Sequence, residues 1–144
     1  MASKPDRPQI PRDMRDFNRK LIAEMRANHG KLLTGPLAGH EPLLLTTTGA
    51  RSGEPRTVVL GYRLDGERYL VIASDNGNDK APDWYHNLKA DPHATVELGA
   101  EKFQVRSRDA VADERPRFAG MIDYYERQQA LTSREIPIVV LERA

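Results

Sequence analysis

Seven residues within a nine-residue span carry the chain's clearest chemistry: Thr48, Gly49, Arg51, Ser52, Gly53, Pro55 and Arg56. Guanidinium forks, hydroxyls and the backbone N–H groups of a glycine-bracketed turn are all hydrogen-bond donors. Together they can grip an anion by its oxygens, and phosphate suits a bidentate guanidinium best. The stretch is not a Walker A loop, because the Gly-Lys-Ser/Thr ending and the helix after it are missing, and it is not a Rossmann fingerprint. A loop arginine is most often a solvated surface residue. Two of them beside Ser52, Thr48 and two glycines favour an anion cradle instead.

Three further groups could do chemistry. Ser74 and Lys80 sit in a polar stretch, 74–81, where a hydroxyl and a positive charge could meet a bound ring, although such a stretch after a strand is ordinarily only a connection. Trp84, Tyr85, Asn87 and Leu88 follow closely. The i, i+4 spacing of Trp84 and Leu88 on a helix reads first as core, while Asn87 could cap strand ends or touch a ligand. Tyr124 and Tyr125 form a pair whose plain reading is partial burial with satisfied hydroxyls. His29, His40, His86 and His93 lack metal-ligand spacing, so no metal site is expected. There is no cysteine, no G-x-S-x-G and no paired carboxylate motif. Thiolate, metal and hydrolase chemistry are thereby set aside.

The elements that must position these groups follow from patterning. Residues 43–48 (LLLTTT) read as a strand leading into the glycine-bracketed loop. Residues 57–64 and 67–73 read as a hairpin around Asp65-Gly66. Pro82 opens a short helix through Ala90, at a first position where no N–H is needed. Residues 93–98 and 101–110 alternate like paired strands with Gly99 at the turn. A helix over 113–131 places Phe118, Met121, Ile122 and Tyr125 on one side, and 136–141 is a last β-rich run. Ahead of all this, a helix from Arg12 carries Met14, Phe17, Leu21, Ile22 and Met25 on one face and stops at Asn28-His29-Gly30. Arg15, Arg19, Arg26 and Lys31 lie away from that face. This is a helix with a solvated basic face covering one end of a barrel or, alternatively, an amphipathic element that touches a membrane surface or roofs an apolar substrate. Residues 1–11 read as a loose proline-rich arm, and 12–144 as one folded unit. About six strands, three helices and mostly short turns predict an α+β fold, an antiparallel partly closed barrel with helices at its ends.

Composition agrees with a soluble protein of one domain. The chain has 144 residues, 39% hydrophobic and 30% charged, with a net charge of +1. That charge gives no reason to expect nucleic acid as a partner. No apolar run approaches the roughly 18 residues of a membrane span, and the N-terminus has no signal-peptide core. A cytoplasmic location, with association at the inner membrane face as an option, is the expectation.

LLTTTGARSGEPR, ASDNGNDKAPDWYHNLKADP (73–92) and SREIPIVVLE (133–142) together resemble the deazaflavin (F420)-dependent nitroreductase and quinone reductase family, in that family's order. The resemblance implies a flavin-reductase-like split β-barrel and coenzyme F420, an 8-hydroxy-5-deazaflavin. It implies that Arg51, Ser52, Gly53, Pro55 and Arg56 hold the cofactor's phosphate and acidic tail, with Thr48, Gly49 and Val58 beside them. By the same resemblance Ala73, Gly77, Asn78, Lys80, Ala81, Trp84 and Asn87 follow the deazaflavin. Tyr125 faces the substrate, and Tyr125 or Ser74 takes a catalytic part. Asp75 and Ala50 stand where relatives often carry basic residues, and Gln128 and Leu131 where some carry aromatics. The implied reaction delivers hydride from F420H2 to a small lipophilic acceptor (a quinone, a nitroaromatic or an activated enone). A separate F420-reducing dehydrogenase would be met only through the diffusing cofactor. Two alternatives stay open: a non-catalytic fatty-acid or lipophile carrier, and an FMN-dependent reductase.

Overall fold

The computed structural model describes residues 14–30 and 41–144, apart from the side chains of 14–18 and of Asn76. The expected arm over 1–11, the start of the first helix at Arg12, the side chains of Met14, Arg15 and Phe17, and Lys31 lie outside the described residues. Seven strands form one sheet: β1 (Leu43–Thr48), β2 (Pro55–Leu60), β3 (Arg63–Asp65), β4 (Arg68–Ile72), β5 (His93–Leu98), β6 (Glu101–Asp109) and β7 (Ile138–Arg143). Their order is β2-β1-β5-β6-β7-β4-β3, and each of these neighbours pairs antiparallel. Four helices accompany them among the described residues: α1 (Met14–Ala27), α2 (Asp83–Ala90), α3 (Arg115–Met121) and α4 (Tyr125–Gln129).

The order contains a closure constraint. β2 and β3 are the two edges of the sheet, yet only Gly61 and Tyr62 separate them in the chain. A flat seven-stranded sheet would hold its edges roughly 29 Å apart at about 4.8 Å per strand. Two linking residues reach only about a third of that distance. The sheet must therefore curl until its edges meet at this corner. The result is an antiparallel half-barrel, the α+β architecture expected from the sequence. The predicted strand 57–64 breaks at Gly61 and Tyr62, which makes seven strands where about six were expected.

The apolar runs are continuous rather than alternating because both faces of those strands are covered. Inside the curl, Leu43 and Leu45, Tyr69 and Val71, and Val139 and Leu141 pack with Trp84 and Leu88 of α2. The intervening residues point outward. Leu44 meets Leu21 and Met25 of α1, and Leu70, Ile72, Ile138 and Val140 meet Phe118, Ile122 and Tyr125. The predicted 113–131 helix keeps its apolar face but divides into α3 and α4, because Ile122 leaves helical geometry at φ −99°, ψ 94°. Gly120, two residues before that point, weakens the helix that would have continued. The last strand starts two residues later than expected. Pro137 has no N–H for the ladder, and its carbonyl instead accepts from the N–H of Ala73 at 3.0 Å.

A charged cluster ties α3 to the sheet. The Arg108 guanidinium donates to Glu114 Oε1 at 2.7 Å and Oε2 at 3.0 Å, and to Glu142 at 3.0 Å. The N–H of Val111 adds a third donor to Glu114 at 3.1 Å. The Arg108 hydrogen bonds, followed by that of Val111, hold the Glu114 carboxyl down at about 2. A carboxyl depressed in the folded state stabilises fully above its unfolded value, about 4.3, and that contribution is lost as pH falls through the folded value. The urea midpoint is therefore expected to drop as pH goes from about 4.5 to 2. Glu114→Gln should lower the midpoint at neutral pH and flatten part of that acid drop. An unchanged pH profile in Glu114→Gln would remove the cluster from the stability account.

Candidate functional site

The loop 49–54 joins β1 to β2 and is built to be tight. The N–H of Gly49 donates to Glu54 O at 2.8 Å, and that of Gly53 to Gly49 O at 2.9 Å. Ser52 Oγ accepts from the N–H of Glu54 at 3.2 Å. A Cβ on Gly49 would lie 2.6 Å from Ser52 Oγ and 3.2 Å from Glu54 O, so the turn closes only around a glycine. These internal bonds occupy several N–H groups that the sequence left available. Among the described residues, the N–H groups of Arg51 and Ser52 have no protein partner.

α2 braces the loop from below. Asn87, buried at 7% exposure, accepts from the N–H of Ala50 at 2.9 Å and donates to Thr47 Oγ1 at 3.1 Å. Thr47 is itself only 2% exposed, so Asn87 satisfies a buried hydroxyl and the loop's first free donor together. Of the two roles considered for Asn87, the structure shows the capping one.

The arginines are left facing out. Arg51 is exposed and has no partner among the described residues. Among the described residues Arg56 has only Glu54, 3.8 Å away, and both side chains of that pair are well exposed. A cavity of about 1050 Å³ opens between this loop, α2 and α1. Gly49, Arg51, Ser52, Pro55, Arg56, Val58, Trp84 and Asn87 all border it, so eight of the sequence-derived binding residues come together. Trp84, only 5% exposed, is both core residue and cavity wall. Thr48 and Gly53 are exposed in the same loop region without bordering the cavity.

The other candidates lie elsewhere. Ala73 is buried at the end of β4. Gly77, Asn78, Lys80 and Ala81 belong to the connection from β4 to α2, with Ser74 at its start. Among the described residues, the Ser74 hydroxyl makes no hydrogen bond and Lys80 has no partner. Tyr125 is not brought to the cavity. It is 6% exposed in the outer core, with its hydroxyl accepting from Arg115 at 2.8 Å and donating to Ile136 O at 3.1 Å. Burial pushes its phenol above the ordinary value. The hydroxyl of the adjacent Tyr124 is buried without a partner among the described residues, and its ring lies 4.8 Å below the Arg63 guanidinium.

Sequence reasoning did not single out Thr57, Asp83 and His86, which also border the cavity, nor did it place Arg19, Ile22 and Arg26 of α1 there. The three- and four-residue spacing of Arg19, Ile22 and Arg26 was the available signal. Arg26 is already engaged with Glu97 through two hydrogen bonds at 2.8 and 3.1 Å. Glu97 is held below the usual carboxylate range by the same contact.

Residues 17–143 match the family model described as F420H(2)-dependent quinone reductase. An F420H(2)-dependent quinone reductase of Mycobacterium tuberculosis is 41% identical over 109 residues, covering 70% of this chain and 72% of that protein. The solved structure of an F420-H2 dependent reductase, FDR-A, superimposes with a TM-score of 0.62 at 33% identity, covering 70% of this chain and 93% of that one. A Listeria innocua protein named for pyridoxamine 5′-phosphate oxidase is 10% identical at a TM-score of 0.52, covering 88% of this chain and 93% of that one. That last likeness is one of fold alone, and with FDR-A it agrees with the split-barrel architecture.

The Asn87 brace generates a stability prediction. Asn87→Leu leaves the buried Thr47 hydroxyl without its partner, which should cost about 1–3 kcal/mol, and frees the N–H of the exposed Ala50 to solvent at a smaller cost. With both variants unfolded in urea at about pH 3, where the new carboxyl is largely protonated and offers one acceptor and one donor as the amide does, the loss in Asn87→Asp should be clearly smaller. Equal losses in the two variants would show that Asn87 acts by packing alone.

Proposed function

The chain belongs to the F420H(2)-dependent quinone reductase family, and from that premise we propose that the 49–56 loop holds the phosphate and acidic tail of F420 for reduction of a quinone. The protein is an oxidoreductase and its cofactor is F420. The observation carrying the site assignment is Arg51: an exposed guanidinium without a partner among the described residues, at the border of a cavity of about 1050 Å³. That volume is at the upper end of the range for small-molecule sites, about 300–1,000 Å³. The donor set also fits an anion, with two guanidiniums, the Ser52 hydroxyl and two unpaired N–H groups.

When bound, the reduced deazaflavin supplies hydride, and a quinone that takes hydride and one proton becomes a hydroquinone. The chain's part is to bind, orient and exclude water. Arg51 and Arg56 anchor the anionic end. Asn87 fixes the loop that carries them, and Trp84 and Val58 supply apolar wall. Thr48 and Gly53 complete the cradle. Ala73, Gly77, Asn78, Lys80 and Ala81 form the second bank along the ring. The Ser74 hydroxyl is free to hold or pass a proton. The Tyr125 hydroxyl is held by Arg115 and Ile136, so a proton through solvent or Ser74 is the reading the contacts favour. Nitroaromatics and activated enones extend the acceptor range in this proposal, since both are electrophiles that accept hydride. Regeneration by a separate F420-reducing dehydrogenase requires only that the cofactor diffuse. No helix among the described residues is long and apolar enough to cross a membrane.

Titration with F420 and FMN tests the cofactor assignment, with clearly tighter F420 binding expected and tighter FMN binding fatal to it. Arg51→Ala and Arg56→Ala should each weaken F420 binding by about 1.5–3 kcal/mol where the guanidinium contacts an anion directly. The effect should shrink for a deazaflavin lacking its phosphate and glutamates. Equal losses with and without the tail would mean that the arginines support the fold. Tyr125→Phe should lower the unfolding midpoint and leave the single-turnover rate with a quinone nearly unchanged. A rate loss at intact cofactor affinity would return the tyrosine to the reaction.

A further inference from the structure

One guanidinium holds the β4–α2 connection from behind. Arg134, in the segment between α4 and β7, donates from Nη2 to Ala73 O at 2.9 Å and Ser74 O at 3.0 Å, and from Nε to Asn78 O at 2.9 Å. Among the described residues no carboxylate pairs with it, so its charge is spent on three backbone carbonyls. Those carbonyls bracket the tight turn at Asp75–Gly77.

That turn is held in a conformation a free loop would leave. Asp75 has φ +47° and Gly77 has φ +77°, and a non-glycine residue in the left-handed region persists only when its surroundings enforce it. Within the turn, Asn78 Nδ2 donates to Asp75 Oδ2 at 3.1 Å; from outside it, the segment that carries Arg134 supplies further contacts. A Cβ on Gly77 would lie 2.4 Å from Leu131 Cβ, so Leu131 presses directly on the turn. The Thr132 hydroxyl donates to Asp79 at 3.2 Å. Arg134 is in turn set by its own backbone, its carbonyl accepting from Gln129 Nε2 at 2.6 Å and its N–H donating to Thr132 Oγ1 at 3.3 Å.

We propose that Arg134 is a positioning residue that fixes the turn at 74–78, and with it the Ser74 hydroxyl, for the bound deazaflavin. The part concerning the cofactor rests on the reading that this connection lines the ring. The clamp itself does not depend on that reading. Lysine cannot substitute, because one ammonium nitrogen cannot reach carbonyls that the arginine addresses from two separate nitrogens.

Hydrogen–deuterium exchange on the free protein tests the clamp in Arg134→Gln and Arg134→Lys. The expectation is exchange about tenfold faster or more over 73–80 in both variants, with β5 and β6 unchanged. Unchanged exchange over 73–80 overturns the proposal. A uniform rise across the chain also overturns it, since Arg134 would then be general fold support. If Arg134→Gln does not fold, Arg134→Lys decides alone by the same criteria. F420 affinity, measured by fluorescence titration on the same variants, separates the two layers. A severalfold weaker F420 affinity with the local rise supports the whole proposal. A local rise with unchanged F420 affinity overturns the cofactor part and the reading that the connection lines the ring, while the clamp stands.

Discussion

Gly61 and Tyr62 do more than connect two strands. Because they join the opposite edges of one sheet, the sheet cannot lie flat, and every other feature follows from the curl. The concave face becomes a core that α2 must plug. The convex face splits into two surfaces, one covered by α1 and the other by α3 and α4. The end of β1 and the start of β2 carry the loop bearing Arg51. The helix bearing Asn87 reaches that loop because α2 runs directly into β5, and β5 pairs with β1.

The candidate site rests on a division of labour between backbone and side chain. The 49–54 loop satisfies three of its six N–H groups internally and a fourth through Asn87, which makes a firm platform. In the proposed reading, the two exposed guanidiniums supply most of the attraction for an anion. The β4–α2 connection works differently. It is strained at Asp75 and is held from outside by Arg134, Leu131 and Thr132. The 49–54 loop is braced by α2, and the β4–α2 connection is clamped by the segment that leads into the last strand.

Local chemistry was legible in the sequence, and long-range closure was not. The strand 43–48 and the glycine-bracketed arginines could be read because their signals lie within a few residues of one another. The break at Gly61 was hidden, because TVVLGYRLD is uniformly strand-like and only the sheet order forces a corner. The bond from Asn87 to the Ala50 N–H spans 37 positions, beyond the reach of any spacing argument. Tyr125 is the instructive case. Its spacing with Phe118 and Ile122 predicted a core face, whereas the resemblance implied a substrate-facing residue. The structure sets it among those same apolar neighbours. Burial of an apolar face decides where a helix points before any polar role can.

An open barrel leaves two strand edges, and unpaired edges invite a second molecule to add its own strand. Here β3 is only three residues long and runs from Arg63 to Asp65, with a charge at each end. β2 begins with Pro55, which has no N–H to offer, followed by the exposed Arg56. Both devices discourage strand addition. The arginine that faces the groove thus also guards the sheet edge against polymerisation. A substitution at Arg56 that removes its charge exposes the same edge to edge-to-edge assembly, so solubility at high concentration is tied to the position proposed to hold the ligand.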